Sequence, residues 1–393
     1  MANNPICSIK AVLMAAFFFC TSVLAAQRPA AMDIKGLWIV RESMTSAREI
    51  DKALLFAAES GFNHVFVQVR GRGDAYYNSL IVPKSERIRE PGFDPLEHAV
   101  ARGHALGLNV HAWVTTYLLW SARQPPERSS HLYYLHPEWQ EVDSRGRAHS
   151  EIDLSAPRSK GFEGIYLAPT HPEVNSYLQG IFTEIILHYE IDGLHLDYSR
   201  YYDFDYGYNA EALAVFERRH EFNPMTEIQT WNGSPAHGDA DPLSRQMQLW
   251  NDYRRSKVTE LITALHAIIT ISGREVMLSS AVKPDVNKAR NMYYQDWVHW
   301  LDEGLLDFAL PMNYSTSAAD FRDRIGQIIR VLPQGYRKKV IMGVANYNQS
   351  PEDTAVKIRI AREYGFNSVC VFSYDSYKTN LWRFDPIIES MRP

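Results

Sequence analysis

Cysteine is scarce in this chain of 393 residues, which contains three. Two of them, Cys7 and Cys20, fall in an N-terminal segment that resembles a secretory signal, so Cys370 is the one cysteine expected in the processed protein. A single cysteine cannot form an intrachain disulfide. The fold is therefore expected to depend on its hydrophobic core.

An excess of positive charge is also missing, because 41 Lys and Arg face 46 Asp and Glu. This balance argues against a nucleic-acid partner, whose binders carry basic patches. Beyond the N-terminus no stretch approaches the roughly 20 apolar residues that a membrane-crossing helix needs. Tight His-x-His or His-Glu-x-x-His spacings are absent too, so neither a metal nor another cofactor is predicted.

The N-terminus has the order of a secretory signal: Lys10, an apolar run over 11–19, and small residues around Ala25 and Ala26. We expect residues 1–26 to be removed and the protein to be periplasmic or secreted, without membrane insertion after cleavage. Residues 35–393 are predicted to form a single domain. The sequence leaves the oligomeric state and lipidation of Cys20 open.

From Lys35 the sequence alternates short apolar or β-branched runs with longer amphipathic ones, and eight such pairs can be counted. Eight is the number that closes a (β/α) barrel, so the prediction is an α/β fold of the TIM (β/α)8 type. Long insertions, 116–170 and 203–241, follow strands three and four. The strands are predicted at 36–41, 64–70, 109–115, 193–198, 276–282, 308–313, 339–345 and 368–374.

The fourth strand, 193–198, carries the main candidate for catalysis. Side chains alternate along a strand, so Gly193, His195 and Asp197 should face the barrel interior, and Leu194, Leu196 and Tyr198 should face the outer helices. Asp197 then lies at the C-terminal tip, where barrel enzymes place their chemistry.

The predicted strand ends together present carboxylates, tyrosines, asparagines and arginines, a composition that suits a sugar-binding site. An open groove behind the insertions would suit a polysaccharide. The residues at the eight ends are Arg41 and Glu42, Arg70 and Asp74, His111 and Trp113, His195 and Asp197, Lys283 and Asp285, Asn313 and Tyr314, Asn346 and Tyr347, and Tyr374 and Asp375.

Glycoside hydrolysis normally uses two carboxyl groups, ~5 Å apart for retention or ~6.5–9.5 Å apart for inversion. Asp197 is the first. The second stays open among Asp74, Asp285, Asp375 and Glu42, and the first two rank ahead because they follow strand tips near the fourth strand. No Glu occupies the fourth or seventh tip, which excludes the two-glutamate arrangement of many retaining barrel glycosidases.

Two arginines, Arg70 and Arg200, are predicted to flank Asp197 and to lower its pKa, which would favour a nucleophile or base. The alternative role for these arginines, a buried ion pair that ties two loops together, stays open. His111 and His195 lie on adjacent strands and could join Asp197 in a two-His, one-carboxylate metal site. Stacking and hydrogen bonding by neutral imidazoles is the favoured interpretation.

Several short motifs, taken in their order along the chain, resemble those of the glycosyl hydrolase-like 10 family of bacterial barrel proteins. They are Gly36-Leu37-Trp38, Gln68-Val69-Arg70, Gly73-Asp74-Ala75-Tyr76-Tyr77-Asn78-Ser79, Asp94-Pro95-Leu96, Leu108-Asn109-Val110-His111-Ala112-Trp113, Leu167-Ala168-Pro169, His171-Pro172-Glu173-Val174, the segment 189–201, and Pro311-Met312-Asn313-Tyr314.

The resemblance implies a barrel glycosidase acting on bacterial glycan, with peptidoglycan as the substrate class for an exported member. It implies functional roles for Arg70, Asp74, His111, Trp113, His195, Asp197, Tyr198, Arg200 and Tyr314. This chain departs from the family pattern at Tyr202, at Met312 and over 281–285, which leaves the substrate and the second carboxylate open.

We therefore expect an exported O-glycosyl hydrolase with Asp197 as its principal catalytic carboxylate. Sugar contacts are expected from the residues named for the family, together with Asn313 and Asp375, and stacking from Trp113 and Trp120. Two alternatives stay open: a non-catalytic cell-wall glycan-binding barrel, and a metal-dependent polysaccharide deacetylase.

Overall fold

Ten strands and the helices between them are described by a computed structural model that covers residues 34–155, 162–226 and 242–392. The predicted signal, 1–26, lies outside these ranges, as do parts of both predicted insertions. The strands are β1 (Lys35–Ile39), β2 (His64–Arg70), β3 (Asn109–Thr115), β4 (Leu118–Trp120), β5 (Ile165–Tyr166), β6 (Gly193–Asp197), β7 (Met277–Val282), β8 (Phe308–Pro311), β9 (Met342–Ala345) and β10 (Val369–Phe372).

The helices between and after these strands mostly follow the predicted amphipathic segments. They are Ala47–Glu59, Pro95–Ala105, Leu132–Leu135, Val174–His188, Ala210–His220, Pro242–Ser272, Val286–Met292, Trp297–Asp302, Ala318–Val331, Pro351–Glu363 and Asp385–Ser390. Within the described ranges, no helix is both long and apolar enough to cross a membrane.

Eight of the strands form one parallel sheet in the order β8-β7-β6-β3-β2-β1-β10-β9. Isolated parallel bridges, Ala309 to Val340 and Met312 to Gly343, join the two outer strands. The Asn313 N–H donates to the Gly343 carbonyl at 3.1 Å across the same seam. The predicted eight-stranded parallel barrel is thus confirmed, with β4 and β5 forming a separate antiparallel pair beside it.

Alternation along the strands separates two cores, as a closed barrel requires. Leu194 and Leu196 of β6 pack outward in the large core under the helices. A smaller inner core, which fills the barrel, contains Trp38, Phe66 and Trp113. Both cores are buried, and the inner one forms the floor of the site described below.

Local sequence signals explain several helix ends. The Oγ of Ser46 accepts a hydrogen bond from the Glu49 N–H at 3.4 Å and begins the helix Ala47–Glu59. Asp94 caps the helix Pro95–Ala105 in the same way. Gly107, just after the end of that helix, has a φ of +73°, a conformation that favours glycine.

Several predicted boundaries need correction. The second insertion contains the helix Ala210–His220, which its many Tyr, Gly and Pro residues concealed. The helix Val286–Met292, directly after Asp285, was not predicted either. Strands β8, β9 and β10 are shorter than predicted because their flanking residues hydrogen-bond only in isolated bridges and turns.

Candidate active site

A cleft of about 670 Å³ opens where the barrel strands end. Asp197 and Thr115, the last residues of β6 and β3, lie in its lining, as does Phe372 at the end of β10. The C-terminal ends of all parallel strands meet at the same mouth of a barrel, so these side chains come together although they are far apart in sequence. The cleft occupies the position predicted for the site.

Asp197 is 7% exposed and lies against the floor of the cleft. One carboxylate oxygen accepts the Tyr198 N–H at 2.8 Å, and the other accepts the indole N–H of Trp113 at 3.2 Å. Burial raises the pKa of Asp197 to about 6, although these two donors and the charge of Arg200 act in the opposite direction. The protonated form of Asp197 therefore predominates below about pH 6, and about one carboxyl in ten still carries a proton to donate at pH 7.

The backbone turns sharply just beyond this carboxylate. Tyr198 has a φ of +52°, an uncommon value for a bulky residue, and it ends the strand alternation. Alternation alone predicted that Tyr198 would face the outer helices, whereas its side chain lines the cleft. The guanidinium of Arg200 lies 4.9 Å from the centre of the Tyr198 ring, and both side chains border Asp197.

A second carboxylate in the cleft, Glu163, was not among the predicted site residues. Its Oε2 accepts from Arg200 Nη2 at 2.7 Å and from the Tyr166 hydroxyl, while Lys283 Nζ lies 3.6 Å from Oε1. Burial acts to raise the pKa of Glu163, but the charges of Arg200 and Lys283 and these hydrogen bonds bring it down to about 2. Between about pH 2 and pH 6, Glu163 is therefore ionised while Asp197 is protonated.

The position of Glu163 depends on the small β4–β5 sheet rather than on a barrel strand. It precedes β5, and β5 pairs with β4 directly after β3 has left the barrel. Gly164 makes this approach possible, because a Cβ there would meet the Trp120 carbonyl oxygen at 2.2 Å. The available sequence signal was a Glu-Gly pair before a short apolar run, which is weak beside a strand-end motif.

The predicted arginine pair around Asp197 needs correction. Arg200 lines the cleft, but its direct carboxylate partner is Glu163, and the burial of Asp197 outweighs the effect of Arg200 on the Asp197 pKa. Arg70 does not line the cleft. A register shift between Gln68 and Arg70 pairs Arg70 with Val114, an outward-facing residue. Arg70 is fully buried there and donates to the Thr116 carbonyl at 3.2 Å.

The two predicted histidines lie beneath the cleft rather than in its lining. His195 accepts from the Trp38 indole N–H at 3.1 Å and contacts Ser279 Oγ at 2.9 Å. Burial lowers the pKa of His195 to about 3, so the imidazole is neutral. His111 lies deeper and pairs with His64 at 2.8 Å. Both positions differ from the sugar contacts predicted from the sequence.

The hypothetical site of two histidines and one carboxylate is not assembled. Each imidazole is engaged with a different neighbour, and only Asp197 reaches the cleft. In the part of the chain that the structure describes, no group of three or more His, Cys, Asp or Glu side chains is arranged to hold a metal ion.

Two further predicted contacts, Asn313 and Tyr314, take different positions. Tyr314 lines the cleft and stacks on Phe372, with ring centres 5.6 Å apart. Asn313 is fully buried and donates to the Phe321 carbonyl at 3.1 Å, while its oxygen accepts from Arg324 at 3.4 Å. Arg324 itself lines the cleft, so Asn313 acts on the site by holding Arg324.

Of the remaining predicted carboxylates, only Asp285 reaches the cleft, where it also caps the helix Val286–Met292 through the Lys288 N–H at 3.0 Å. Asp74 lines a separate, smaller cavity. Asp375 accepts from the Val40 N–H at 2.7 Å and from Ser43 at 2.6 Å, so it ties β1 to the end of β10 outside the cleft.

The sequence matches the family model described as Glycosyl hydrolase-like 10 over residues 33–357. The chain is 25% identical to Glycosyl hydrolase YngK of Bacillus subtilis (strain 168) over 289 residues, 68% of this chain and 49% of that protein. It is also 25% identical to Glycosyl hydrolase DigH of Escherichia coli (strain K12) over 319 residues, 73% of this chain and 63% of that protein. The match thus spans less than two thirds of either relative.

Solved structures resemble the fold. The PgaB (BpsB) glycoside hydrolase domain from Bordetella bronchiseptica matches with a TM-score of 0.66 at 15% identity, covering 91% of this chain and 97% of that one. The catalytic domain of beta-amylase from Paenibacillus polymyxa matches with a TM-score of 0.57 at 11% identity, covering 91% and 98%. At these identities the likeness concerns the barrel architecture.

Proposed function

Because the chain belongs to the glycosyl hydrolase-like 10 family, we propose that it cleaves O-glycosidic bonds with Asp197 as the general acid. The observation that carries this proposal is the pair of carboxyl groups in one cleft, Asp197 with a pKa of about 6 and Glu163 with a pKa of about 2. Surroundings that push two carboxyl pKa values apart provide one proton donor and one permanent anion. Glycoside hydrolysis needs both.

In the proposed reaction, protonated Asp197 donates its proton to the glycosidic oxygen as the bond from that oxygen to the anomeric carbon breaks. Positive charge then develops on the sugar ring, and ionised Glu163 stabilises it. Oε1 of Glu163 has the more open position, since Oε2 already accepts from Arg200 and Tyr166. The anomeric configuration of the first product decides whether Glu163 attacks carbon directly or activates a water.

Aromatic side chains provide the surfaces on which the sugar rings would lie. Trp38, Trp113, Tyr314, Tyr347 and Phe372 line the cleft. Ring faces of this kind pack against the C–H face of a sugar, while the phenol groups of Tyr314 and Tyr347 would bond to its hydroxyls.

Lys283 also lines the cleft, and its positive charge depends on pH near neutrality. Burial and the charge of Arg200 lower the pKa of Lys283 to about 8, so it is mostly charged at neutral pH. Its Nζ lies 4.6 Å from the centre of the Tyr293 ring and near Oε1 of Glu163. Lys283 would hold a sugar hydroxyl and keep Glu163 ionised.

We further propose that the substrate is bacterial cell-wall glycan, with peptidoglycan glycan strands as the specific form, and that the protein is exported. Family membership and the aromatic side chains that line the cleft support a polysaccharide substrate. The signal-like order of residues 1–26 supports export to the periplasm or medium.

Mass spectrometry of products from purified cell-wall glycan, with and without stem peptides, tests the proposal. The wild type should release reducing-end fragments. Asp197→Asn should lower turnover by about two orders of magnitude or more while retaining glycan binding, because the side chain keeps its shape and loses its proton. Bound but intact glycan with the wild type would favour the glycan-binding alternative, and loss of acetyl groups without chain cleavage would favour the deacetylase.

A further inference from the structure

A smaller cavity of about 130 Å³ adjoins the cleft and is lined by more cationic than anionic side chains. Arg41 lines both the cleft and this side cavity. Gly71 and Ser121 line the cleft, and their chain neighbours Arg72 and Trp120 line the side cavity. The cleft and the side cavity therefore share Arg41 and have walls built from neighbouring residues.

Arg72 is the central cation of the side cavity. Its Nε donates to Ser121 Oγ at 2.9 Å, and its guanidinium carbon lies 5.8 Å from the centre of the Trp120 ring. Within the described ranges, no carboxylate forms an ion pair with this guanidinium. Burial lowers the pKa of Arg72, and the charges of Arg41 and Arg87 lower it further. The half-buried guanidinium thus lies among like charges.

Three carboxylates line the side cavity, Asp74, Glu86 and Glu127, beside five Arg or Lys side chains, and Glu86 accepts from Arg128 Nε at 2.6 Å. One oxygen of Glu42 lies 3.4 Å from Arg41 and 3.6 Å from Arg87, so it is shared between two cations. Asp74 accepts the backbone N–H of Arg72 at 3.2 Å, which shapes the loop. A net positive charge therefore remains at the cavity wall, and an additional anion would be attracted to it.

The loop that carries Arg72 is held tightly on both sides. Gly73 has a φ of +71°, and a Cβ there would meet His131 at 2.8 Å. His131 Nε2 donates to the Arg72 carbonyl at 2.8 Å. A Cβ at Gly71 would meet Arg41 at 2.6 Å. The hydrogen bonds of Arg72 to His131, Asp74 and Ser121 hold it in position before any ligand arrives, which reduces the ordering cost of binding.

We propose that the side cavity binds the carboxylate substituent of an acidic sugar whose neighbour in the glycan strand occupies the cleft. The proposal rests on the proposed glycosidase function and narrows its substrate class to glycans that carry a carboxylate, such as the lactyl ether of muramic acid. The planar guanidinium of Arg72 matches a carboxylate with two parallel hydrogen bonds, and Trp120 offers a ring face to the sugar that bears it.

Isothermal titration calorimetry with the Asp197→Asn protein tests this proposal without turnover. The probes are soluble peptide-free glycan strands with alternating lactyl-bearing sugars, and the same strands after reduction of the carboxyl groups to alcohols. The Asp197→Asn protein should bind the carboxylate form about tenfold more tightly than the reduced form. When Arg72→Gln is combined with Asp197→Asn, the preference for the carboxylate form should be lost, and the affinity for the reduced strands should stay unchanged. The double variant with Arg72→Lys should keep part of the preference for the carboxylate form.

Arg322→Gln is the matched control, since Arg322 is exposed on the helix Ala318–Val331, far along the chain from this cavity. It should keep the full preference. Equal affinity for both strands, or an equal loss for both on Arg72→Gln, would overturn the carboxylate site. In that case cleavage by the wild type would still support the glycosidase proposal, whereas absence of both cleavage and binding would reject the two together.

Discussion

The indole N–H of Trp113 donates to the carboxylate of Asp197 at 3.2 Å, although the two residues lie on different strands. In the parallel register of β3 and β6, Trp113 is level with His195, two residues below Asp197. The indole therefore reaches upward along the barrel axis to the strand tip. One hydrogen bond fixes the carboxylate in the cleft and partly offsets the burial that raises its pKa.

The activity should fall as the pH rises through the pKa of Asp197. Because the protonated form is the proposed acid, kcat/KM should lose about tenfold per pH unit above about 6. Rates on soluble glycan oligomers between pH 4 and 9 would measure this decrease, which is the alkaline limb of the pH profile. A rate that instead increases above about pH 6 would assign Asp197 the role of base or nucleophile.

Trp113→Phe should move that limb to higher pH. The substitution keeps an aromatic ring and removes the donor that favours the ionised carboxylate, so the pKa of Asp197 should increase by roughly half a unit to one unit. The same pH profile reports the shift. Trp382→Phe, at an exposed position outside the cleft, is the control and should leave the limb unchanged. An unmoved limb in Trp113→Phe would contradict the role given to the indole.

The sequence was sufficient to predict the barrel and the tip carboxylate because both follow from periodic patterns. Alternation placed Leu194 and Leu196 outward and Asp197 at the mouth, as the structure has them. The alternation predicted side-chain directions wrongly where the backbone departs from regular strand geometry. The register shift before Arg70 turned that side chain out of the barrel, and the positive φ of Tyr198 brought its ring into the cleft.

Glu163 illustrates a different limit. Its place in the cleft depends on the pairing of β4 with β5, a contact between segments some 45 residues apart that no local pattern encodes. The same holds for the pKa of Asp197. Counting nearby arginines predicted a lowered pKa, whereas the burial that raises it becomes visible only when the walls of the cleft are assembled.

Glu163→Gln should destabilise the protein in a pH-dependent way. The pKa of Glu163 is about 2 in the fold and near 4.5 when unfolded, so its ionisation stabilises the fold fully above pH 4.5, and this contribution is lost as the pH falls through 2. The difference corresponds to up to about 3 kcal/mol at pH 7. Loss of the charge would also leave Arg200 buried without its anion.

Urea unfolding of the wild type and Glu163→Gln at pH 7, 4.5 and 3 would measure the effect. The gap in unfolding free energy should narrow toward low pH. Glu389→Gln is the matched control, because it breaks an exposed ion pair with Arg392 and should cost about 1 kcal/mol or less. A gap that is constant with pH would mean that the charge of Glu163 contributes little to the fold.

The same substitution at two glycines should have opposite effects. At Gly193 on β6 an added Cβ would meet His111 Nδ1 at 2.0 Å inside the barrel, where no neighbour can yield. Gly193→Ala should therefore destabilise the protein by about 1–3 kcal/mol or more. Gly326 lies in the helix Ala318–Val331 with only the flexible end of Arg330 nearby, at 3.5 Å, so Gly326→Ala should stabilise by up to about 1 kcal/mol. Thermal unfolding of both variants measures the contrast, and a tolerated Gly193→Ala would mean that His111 does not pack against β6 at the base of the barrel.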